Sequence, residues 1–167
     1  QAALDKLDKP WLKAADHEKN IKILSNAGIM VSSEMIIGTD EDTVDSIKET
    51  LNFINRTKIP IPRFYILTPI PGTELFKEFK AKGRLLTEDL QKFDGTQCVH
   101  IPEKISPEEC TEMYWWLNQK IFSLGNILGR TVFNSILWKN PFEMFFAIAV
   151  NLHYIPYIKK RTTPNIF

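Results

Sequence analysis

The sequence of 167 residues is poor in cysteine and histidine and almost balanced in charge. Its two cysteines, Cys98 and Cys110, are too few for a disulfide framework and too far apart for a CxxC site. Without such a framework a reducing compartment is the default, so we expect a cytoplasmic protein. The formal net charge of +1 gives no field that favours nucleic acid as a partner. The three histidines show no helical metal-ligand spacing, so we expect no metal site.

The sequence also lacks a signal peptide and an initiating methionine. Its opening segment, QAALDKLDKPWLKAAD, is charged and helical in character, whereas a signal peptide has an apolar centre. The segment is typical of the end of a helix that has begun earlier. We therefore expect the chain to be a piece of a longer protein, with the missing N-terminal part of that parent as its partner.

Hydrophobic periodicity predicts an α/β fold in the first half of the chain. Apolar residues repeat at helical spacing over 16–27 and 42–56, and strands are predicted over 31–37 and 63–68. Short glycine-containing turns from strand to helix are typical of parallel βαβ units. Because two parallel strands do not form a stable sheet alone, we expect further strands from the rest of the parent or from self-association with a second copy.

The pattern changes after residue 86. We divide the chain into βα units over 1–86, a connecting loop over 87–105 with one short extended piece near 97–101, and a helical C-terminal extension over 106–167. Ser106-Pro107-Glu108-Glu109 has the cap, the proline and the acidic third residue of a helix start. Further helices are predicted over 127–138 and from Asn140-Pro141 onward.

The stretch EMIIGTDED, residues 34–42, is the main candidate for a functional site. Its carboxylates can be purely structural, because acidic residues stabilise a helix start by about 0.3–1 kcal/mol each. A second interpretation uses the alternation of the strand, which places Ser32, Glu34 and Ile36 on one face. Such a polar face can line a barrel lumen and end beside a ligand, because ligands bind at the carboxyl ends of parallel strands. The missing Cβ of Gly38 would then let a flat ring approach the main chain.

An ordered series of segments carries a resemblance to a known family. Residues 34–41 match the family motif GxIxGxxE at Ile36, Gly38 and Glu41, although Glu34 replaces the first glycine. The segments LSNAGIMVSSEMIIG, FYILTPIPGTELF, LLTEDLQKFDG and ISPEE are similar to the family's surrounding sequence. The chain thus resembles the C-terminal half of the catalytic barrel of radical S-adenosylmethionine enzymes, most of all the Fe–S oxidoreductases whose barrel follows a cobalamin-binding domain.

The resemblance implies a fold and a set of cofactor contacts. The fold would be the C-terminal portion of a partial (β/α) TIM-like barrel, with two or three strands and a helical C-terminal extension. One adenine face would rest on Ile36 and Gly38 at the end of the first strand. Glu41 would hold the turn in shape. Main-chain groups of Leu67 and Thr68, after the second strand, would meet the adenine edge.

Three further residues, Ser32, Glu34 and Tyr65, are candidates for lining the substrate cavity. Glu34 stands where the family has glycine, so its carboxylate could narrow the lumen or reach the substrate. A buried lone glutamate is costly unless it is paired or protonated. Tyr65 shares a strand face with Arg63, and the alternative for that pair is a packed aromatic ring beside a solvent-facing arginine.

The resemblance also implies the chemistry of the parent protein. A [4Fe–4S] cluster, reduced by a partner such as flavodoxin or ferredoxin, would cleave S-adenosylmethionine to a 5′-deoxyadenosyl radical. With cobalamin bound in an N-terminal domain, methyl transfer to an unactivated carbon would be one outcome. The cluster needs a CxxxCxxC loop, which this chain lacks, so we expect the cluster ligands upstream of Gln1 and no catalytic residue in this segment.

The apolar C-terminal helix leaves two interpretations open. It is too short and too interrupted by polar residues to span a bilayer. It could pack on the barrel or on the N-terminal part of the parent, or it could lie on a membrane surface with the help of Lys159, Lys160 and Arg161. The rival to the enzymatic interpretation is accordingly a non-catalytic α/β interaction module whose apolar helices bind a partner protein or a membrane surface.

Overall fold

The structure, a computed structural model, describes residues 14–162. The predicted helical opening segment and the end of the C-terminal extension therefore lie partly outside the described residues. Within these residues, eight helices and strands are connected by two 3₁₀ turns, Leu90–Lys92 and Leu137–Lys139, and by loops, of which the one over 82–106 is long. In chain order they are α1 (Ala14–Asn26), β1 (Ser32–Ile37), α2 (Val44–Thr57), β2 (Ile61–Ile66), α3 (Glu74–Ala81), α4 (Pro107–Ile121), α5 (Leu124–Arg130) and α6 (Pro141–Lys159).

Strands β1 and β2 pair in parallel, which confirms the α/β prediction. Glu34 lies opposite Arg63 and Ile36 lies opposite Tyr65, so paired residues point to the same side of the sheet. The predicted extended piece near 97–101 does not form a third strand in the described part of the chain. It contributes one isolated antiparallel bridge, between His100 and Leu85.

Strand β2 begins two residues earlier than the sequence predicts, at Ile61 instead of residue 63. Two prolines, Pro60 and Pro62, suggested a break before the strand. Pro62 is instead a strand residue, paired with Ser33 and buried. A proline is tolerated where its missing N–H is not needed, as on a strand with a partner on one side only. Leu67 and Thr68, predicted to end the strand, follow it.

The two faces of the sheet differ in burial. On the covered face, Ile37, Phe64 and Ile66 are each at most 3% exposed, and helices α2 and α4 pack against them. On the other face, Ile36 is 54% exposed, and Ser32 and Glu34 are exposed as well. The alternation of exposed and buried residues along β1 therefore leaves one face of this strand without a helix.

The helices begin where side chains satisfy free main-chain N–H groups. Thr43 and Ser46 form a capping box at α2, and Ser106 and Glu109 form the predicted one at α4. Asp40 and Asp42 precede α2 and are not part of its first turn, contrary to the sequence-based expectation. The helix begins later because Thr43, and not an aspartate, is its cap.

The C-terminal extension is less regular than the sequence predicts. The helix expected over 127–138 is replaced by the shorter α5 and the 3₁₀ turn Leu137–Lys139. Arg130, which is 1% exposed, ends α5 and hydrogen-bonds to neighbouring elements where the continued helix was expected. Helix α6 follows with Pro156 inside it. Among residues 14–162, no helix is long and apolar enough to cross a bilayer.

Candidate functional site

The candidate site lies where both strands end. The N–H of Leu67 donates to the carbonyl of Ile37 at 2.8 Å, which continues the sheet one residue past β2. The N–H of Ile66 donates at 2.8 Å to the carbonyl of Gly95, in the loop before α4. Gly38 follows β1 directly, with a positive φ of 80° that turns the chain away from the sheet. This turn brings the acidic segment to the carboxyl end of the sheet.

Asp42 is the carboxylate that forms the hydrogen bonds inside the turn. One of its oxygens accepts from both the N–H and the hydroxyl of Thr39, each at 2.9 Å. The other oxygen accepts from the Ser46 hydroxyl at 2.9 Å. Asp42 therefore connects the residue after Gly38 to the first turn of α2. The resemblance implies a turn-holding role for Glu41, one position earlier, and that role stays a prediction.

The other two carboxylates of the turn pair with cations from later parts of the chain. Asp40 forms a two-pronged ion pair with Arg84, whose guanidinium also donates to the carbonyl of Ile101. The hydrogen bond to Asp40 raises the pKa of Arg84 above its usual value. Glu41 forms an ion pair with Lys104. The acidic turn is thus fixed to the loop that follows α3.

Gly38 is required by packing on the covered side of the sheet. A Cβ added there would lie 2.7 Å from the Sγ of Cys110 and 3.2 Å from a methyl carbon of Ile66. These distances leave no room for a side chain. Packing in the protein interior therefore explains why this residue is glycine. The sequence suggested instead that its bare main chain accommodates a ligand ring. The contact with adenine stays a prediction.

A buried group of three side chains lies behind the turn: Cys98, His100 and Cys110. The Nε2–H of His100 donates to the carbonyl of Gly38 at 2.9 Å, and its Nδ1 lies 3.7 Å from the Sγ of Cys98. Both thiols are free, as the sequence predicts. Cys98 is the more acidic thiol, since its hydrogen bonds with Cys110 and His100 lower its pKa. The hydrogen bond with Cys98 and the burial of the thiol raise the pKa of Cys110.

The open face of the sheet carries the predicted substrate-cavity residues. Glu34 is exposed and forms an ion pair with Arg63 at 2.7 Å, so it is not the buried lone carboxylate that would be costly. Tyr65 is half-buried beside Gly95. Ser32 is exposed at the start of β1. Tyr154 of α6 is close enough to Arg63 to interact with it electrostatically, so the C-terminal helix reaches the edge of this face.

The structure brings some of the predicted cofactor contacts together. Ile36 and Gly38 lie two residues apart, at the end of β1 and in its turn, and Leu67 lies beside Ile37 through the main-chain hydrogen bond. The Thr68 hydroxyl donates back to the carbonyl of Ile66 at 2.9 Å. Glu41 lies further along the turn, where it pairs with Lys104. Ile36, Gly38, Leu67 and Thr68 thus all lie at the carboxyl end of the sheet.

The arrangement offers an apolar surface for a flat ligand and no metal ligands. Ile36 is a large exposed apolar residue at the end of an open strand face, and adenine rings favour such surfaces in ligand sites. Among residues 14–162, no group of three or more His, Cys, Asp or Glu side chains could hold a metal ion.

Sequence reasoning missed the cations and the buried imidazole that hold the turn. Arg84 and Lys104 are far from the turn along the chain, so no local pattern connects them with it. Cys98 and His100 gave a weak signal, because residues two apart in an extended segment share a side. Their approach to Cys110 depends on where α4 packs, which the sequence does not show.

The sequence of the chain is similar to those of several known proteins. Bacteriochlorophyllide d C-8(2)-methyltransferase of Chlorobaculum tepidum is 26% identical over 168 residues, covering 95% of this chain and 35% of that protein. Bacteriochlorophyllide d C-12(1)-methyltransferase of the same organism is 27% identical over 135 residues, covering 81% and 29%. Hopanoid C-2 methylase of Rhodopseudomonas palustris is 31% identical over 71 residues, covering 42% and 14%. No family model matches the chain.

The chain spans about a third of the length of the first two relatives, 35% and 29%. It is therefore comparable with a segment of each and not with a whole enzyme. The similarity extends over most of the described residues, including both strands and the acidic turn. All three relatives are named as methyltransferases or a methylase, and they confirm, at modest identity, that the chain is related to the radical S-adenosylmethionine enzymes.

Proposed function

We propose that this chain supplies the adenine-side contacts of S-adenosylmethionine and one wall of the substrate cavity in a radical S-adenosylmethionine methyltransferase. The observation that carries the proposal is the open face of β1, on which Ile36 is 54% exposed at the carboxyl end of a parallel pair of strands. That end is where ligands of α/β folds bind. The names of the relatives support a methyl-transferring enzyme as the parent.

The residues of the open face fit the adenine of S-adenosylmethionine. The exposed Ile36 side chain offers an apolar contact for the ring face. The N–H of Leu67 is already used by the carbonyl of Ile37, so the main-chain contact proposed for the adenine amino group is the Leu67 carbonyl, with Thr68 next to it. Ser32, Glu34 and Tyr65, further along the same face, would line the substrate cavity. Burial of this face in the parent would exclude water from the reacting groups.

The rest of the barrel would come from the remainder of the parent chain. The described sheet has two strands, β1 and β2, and a parallel sheet normally has both faces covered. In a partial (β/α) TIM-like barrel the open face of β1 would point into the lumen. Self-association through the free strand edges is the alternative way to extend the sheet.

The residues of this segment do not fit an iron–sulfur cluster. Its only two cysteines, Cys98 and Cys110, are buried behind the turn, and three thiolates are needed. We assign the cluster ligands to another part of the parent, together with any cobalamin-binding domain and the docking site for a reductant. The role of this segment is to bind and orient S-adenosylmethionine, which supplies the radical and methyl chemistry of the family when it is bound.

The rival interpretation, a non-catalytic interaction module, receives less support. All three relatives reported above are named for catalysis, and the similarity to the two bacteriochlorophyllide methyltransferases covers the candidate site. A module would not need an open polar face beside the ends of two parallel strands. The apolar C-terminal helix, which motivated that interpretation, is compatible with an enzyme.

The proposal is tested by changing Ile36 in the full-length protein with its cluster reconstituted. Ile36→Lys places a charge where the ring face would lie, so we expect S-adenosylmethionine affinity to fall about tenfold or more, measured by equilibrium binding. The matched control is Ile23→Lys in α1, where the isoleucine is 55% exposed and distant in sequence from the sheet. Unchanged affinity in the first variant, or an equal loss in both, would refute the role of the open face.

A further inference from the structure

Helix α6 has two apolar faces, and only one of them packs against the protein. Its inner face includes Ala147 and Asn151, both fully buried, and Ile158. The Asn151 amide donates to the carbonyl of Pro60, just before β2, at 2.9 Å. Tyr154 stacks on Phe122 with ring centroids 5.1 Å apart. These contacts fix the orientation of the helix, and therefore also which residues it presents outward.

The outward face is apolar apart from the exposed His153, and we call its apolar residues the outer stripe. Its residues follow helical spacing over about 21 Å of helix axis, and all of them are exposed. They include three phenylalanines, of which Phe142 is 77% and Phe145 is 65% exposed. The outer stripe consists of Phe142, Phe145, Phe146, Ala149, Leu152 and Pro156. An exposed apolar surface of this kind marks an interaction site.

Positive charges and an aromatic ring flank the outer stripe. Lys139 precedes it, and Lys159 and Lys160 follow it, all three exposed. Trp138, which is 65% exposed, lies next to Lys139, and its indole N–H donates to the carbonyl of Val132 at 2.7 Å. None of the six stripe residues is charged, and the one acidic residue of α6, Glu143, is half-buried in the first turn.

We propose that the outer stripe docks on the surface of an anionic lipid bilayer. A helix that lies in a membrane interface combines a phenylalanine- and leucine-rich face with lysine or arginine, and it does not need the length of a spanning helix. Tryptophan and lysine favour the headgroup region, where Trp138, Lys139, Lys159 and Lys160 would lie. A protein partner has no special need of cations at both ends of an apolar stripe, so the charges favour lipid as the occupant.

The docking surface and the candidate site share helix α6. Tyr154, on the inner half of the helix, lies close to Arg63 on the open face of the sheet. A bilayer bound by the outer stripe would therefore lie on the far side of the helix that borders this face. The docking proposal does not depend on the proposed function, because it rests on the outer stripe and its flanking charges alone.

The test measures co-sedimentation of the full-length protein with phosphatidylcholine vesicles, with and without phosphatidylglycerol. We expect binding to the anionic vesicles, weakened by salt. The double variant Phe142→Ser/Phe145→Ser should bind them about tenfold or more weakly, because it removes the most exposed apolar side chains of the stripe. The matched control is Leu90→Ser, which removes an apolar side chain that is 66% exposed in a loop, and its binding should be unchanged.

A second measurement does not depend on the stability of the double variant. Brominated lipid in the anionic vesicles should quench the fluorescence of Trp138, and Trp138→Phe should abolish that part of the quenching. Lack of binding to anionic vesicles, or binding unaffected by the stripe variant, would overturn the proposal. So would a dimer that only the stripe variant dissociates, or a loss of thermal stability in that variant without lipid binding. The dimer would assign the stripe to a second copy of the chain, and the loss of stability without lipid binding would assign it to the rest of the parent.

Discussion

At the scale of single residues, Gly38 connects the candidate site to the protein interior. Its positive φ and its missing Cβ are both required, the first by the turn and the second by Cys110. Gly38→Ala should therefore lower the free energy of unfolding by about 1–2 kcal/mol for the backbone and about 1–3 kcal/mol for the overlap with the thiol. Urea denaturation monitored by circular dichroism measures the change.

Gly28 provides the control that separates the two contributions. Its φ of 82° is nearly the same, but a Cβ added there would meet nothing within 4 Å. Gly28→Ala should show the backbone contribution alone. Restoring space with Cys110→Ala should reduce the additional loss in Gly38→Ala. Equal destabilisation by the two alanines would show that the thiol does not restrict this position.

Residue types and alternation predicted which residues of β1 share the exposed face but not the partners of the turn that follows. The alternation of β1 correctly separated Ser32, Glu34 and Ile36 from the covered face, because strand geometry alone decides that separation. The hydrogen bonds inside the turn belong to Asp42, and the role implied for Glu41, which pairs with Lys104, stays a prediction. Asp42 is selected by its reach to Thr39 and Ser46.

At the scale of secondary-structure elements, Arg130 joins the C-terminal helices to one another. Its guanidinium donates to the carbonyl of Ile121 at the end of α4, at 2.8 Å, and to the side-chain oxygen of Asn151 in α6, at 2.9 Å. Burial lowers its pKa to about 10, so it remains charged at neutral pH. A cation at a helix C-terminus is favourable, because the last carbonyls carry partial negative charge.

Removing this buried guanidinium should destabilise the junction of α4, α5 and α6. Arg130→Met keeps an apolar chain of similar length but leaves two buried acceptors unpaired, so the free energy of unfolding should fall by about 2–4 kcal/mol. Arg56→Met, which removes an exposed ion pair with Glu18, should cost about 0–1 kcal/mol. Thermal or urea unfolding of both variants gives the comparison. Similar small losses would mean that Arg130 does not hold the helices together.

Elements with strong local signals were predictable, and those fixed by distant contacts were not. The cap at Ser106 identified the start of α4 because its hydrogen bonds are local. The start of β2 was misplaced because the sequence does not show that this strand has a partner on one side only. The helix expected over 127–138 ends at Arg130, whose partners come from α4 and α6.

At the scale of the whole molecule, the proposed function depends on the open face of β1. The described chain covers that sheet on one side only, and the chain spans 35% of the length of the first relative. An apolar residue such as Ile36 at the end of an uncovered strand face is expected where further protein or a ligand completes the site. In the proposed function, a barrel lumen that holds S-adenosylmethionine would provide both completions.

Photoaffinity labelling of the full-length protein with an azido-adenine analogue of S-adenosylmethionine tests this claim most directly. Proteolysis and mass spectrometry would locate the label, and unmodified S-adenosylmethionine would compete for the site. The account predicts label on the peptides that carry Ile36 and Gly38 or Leu67 and Thr68. Label confined to other parts of the protein, and removed by the competitor, would contradict it.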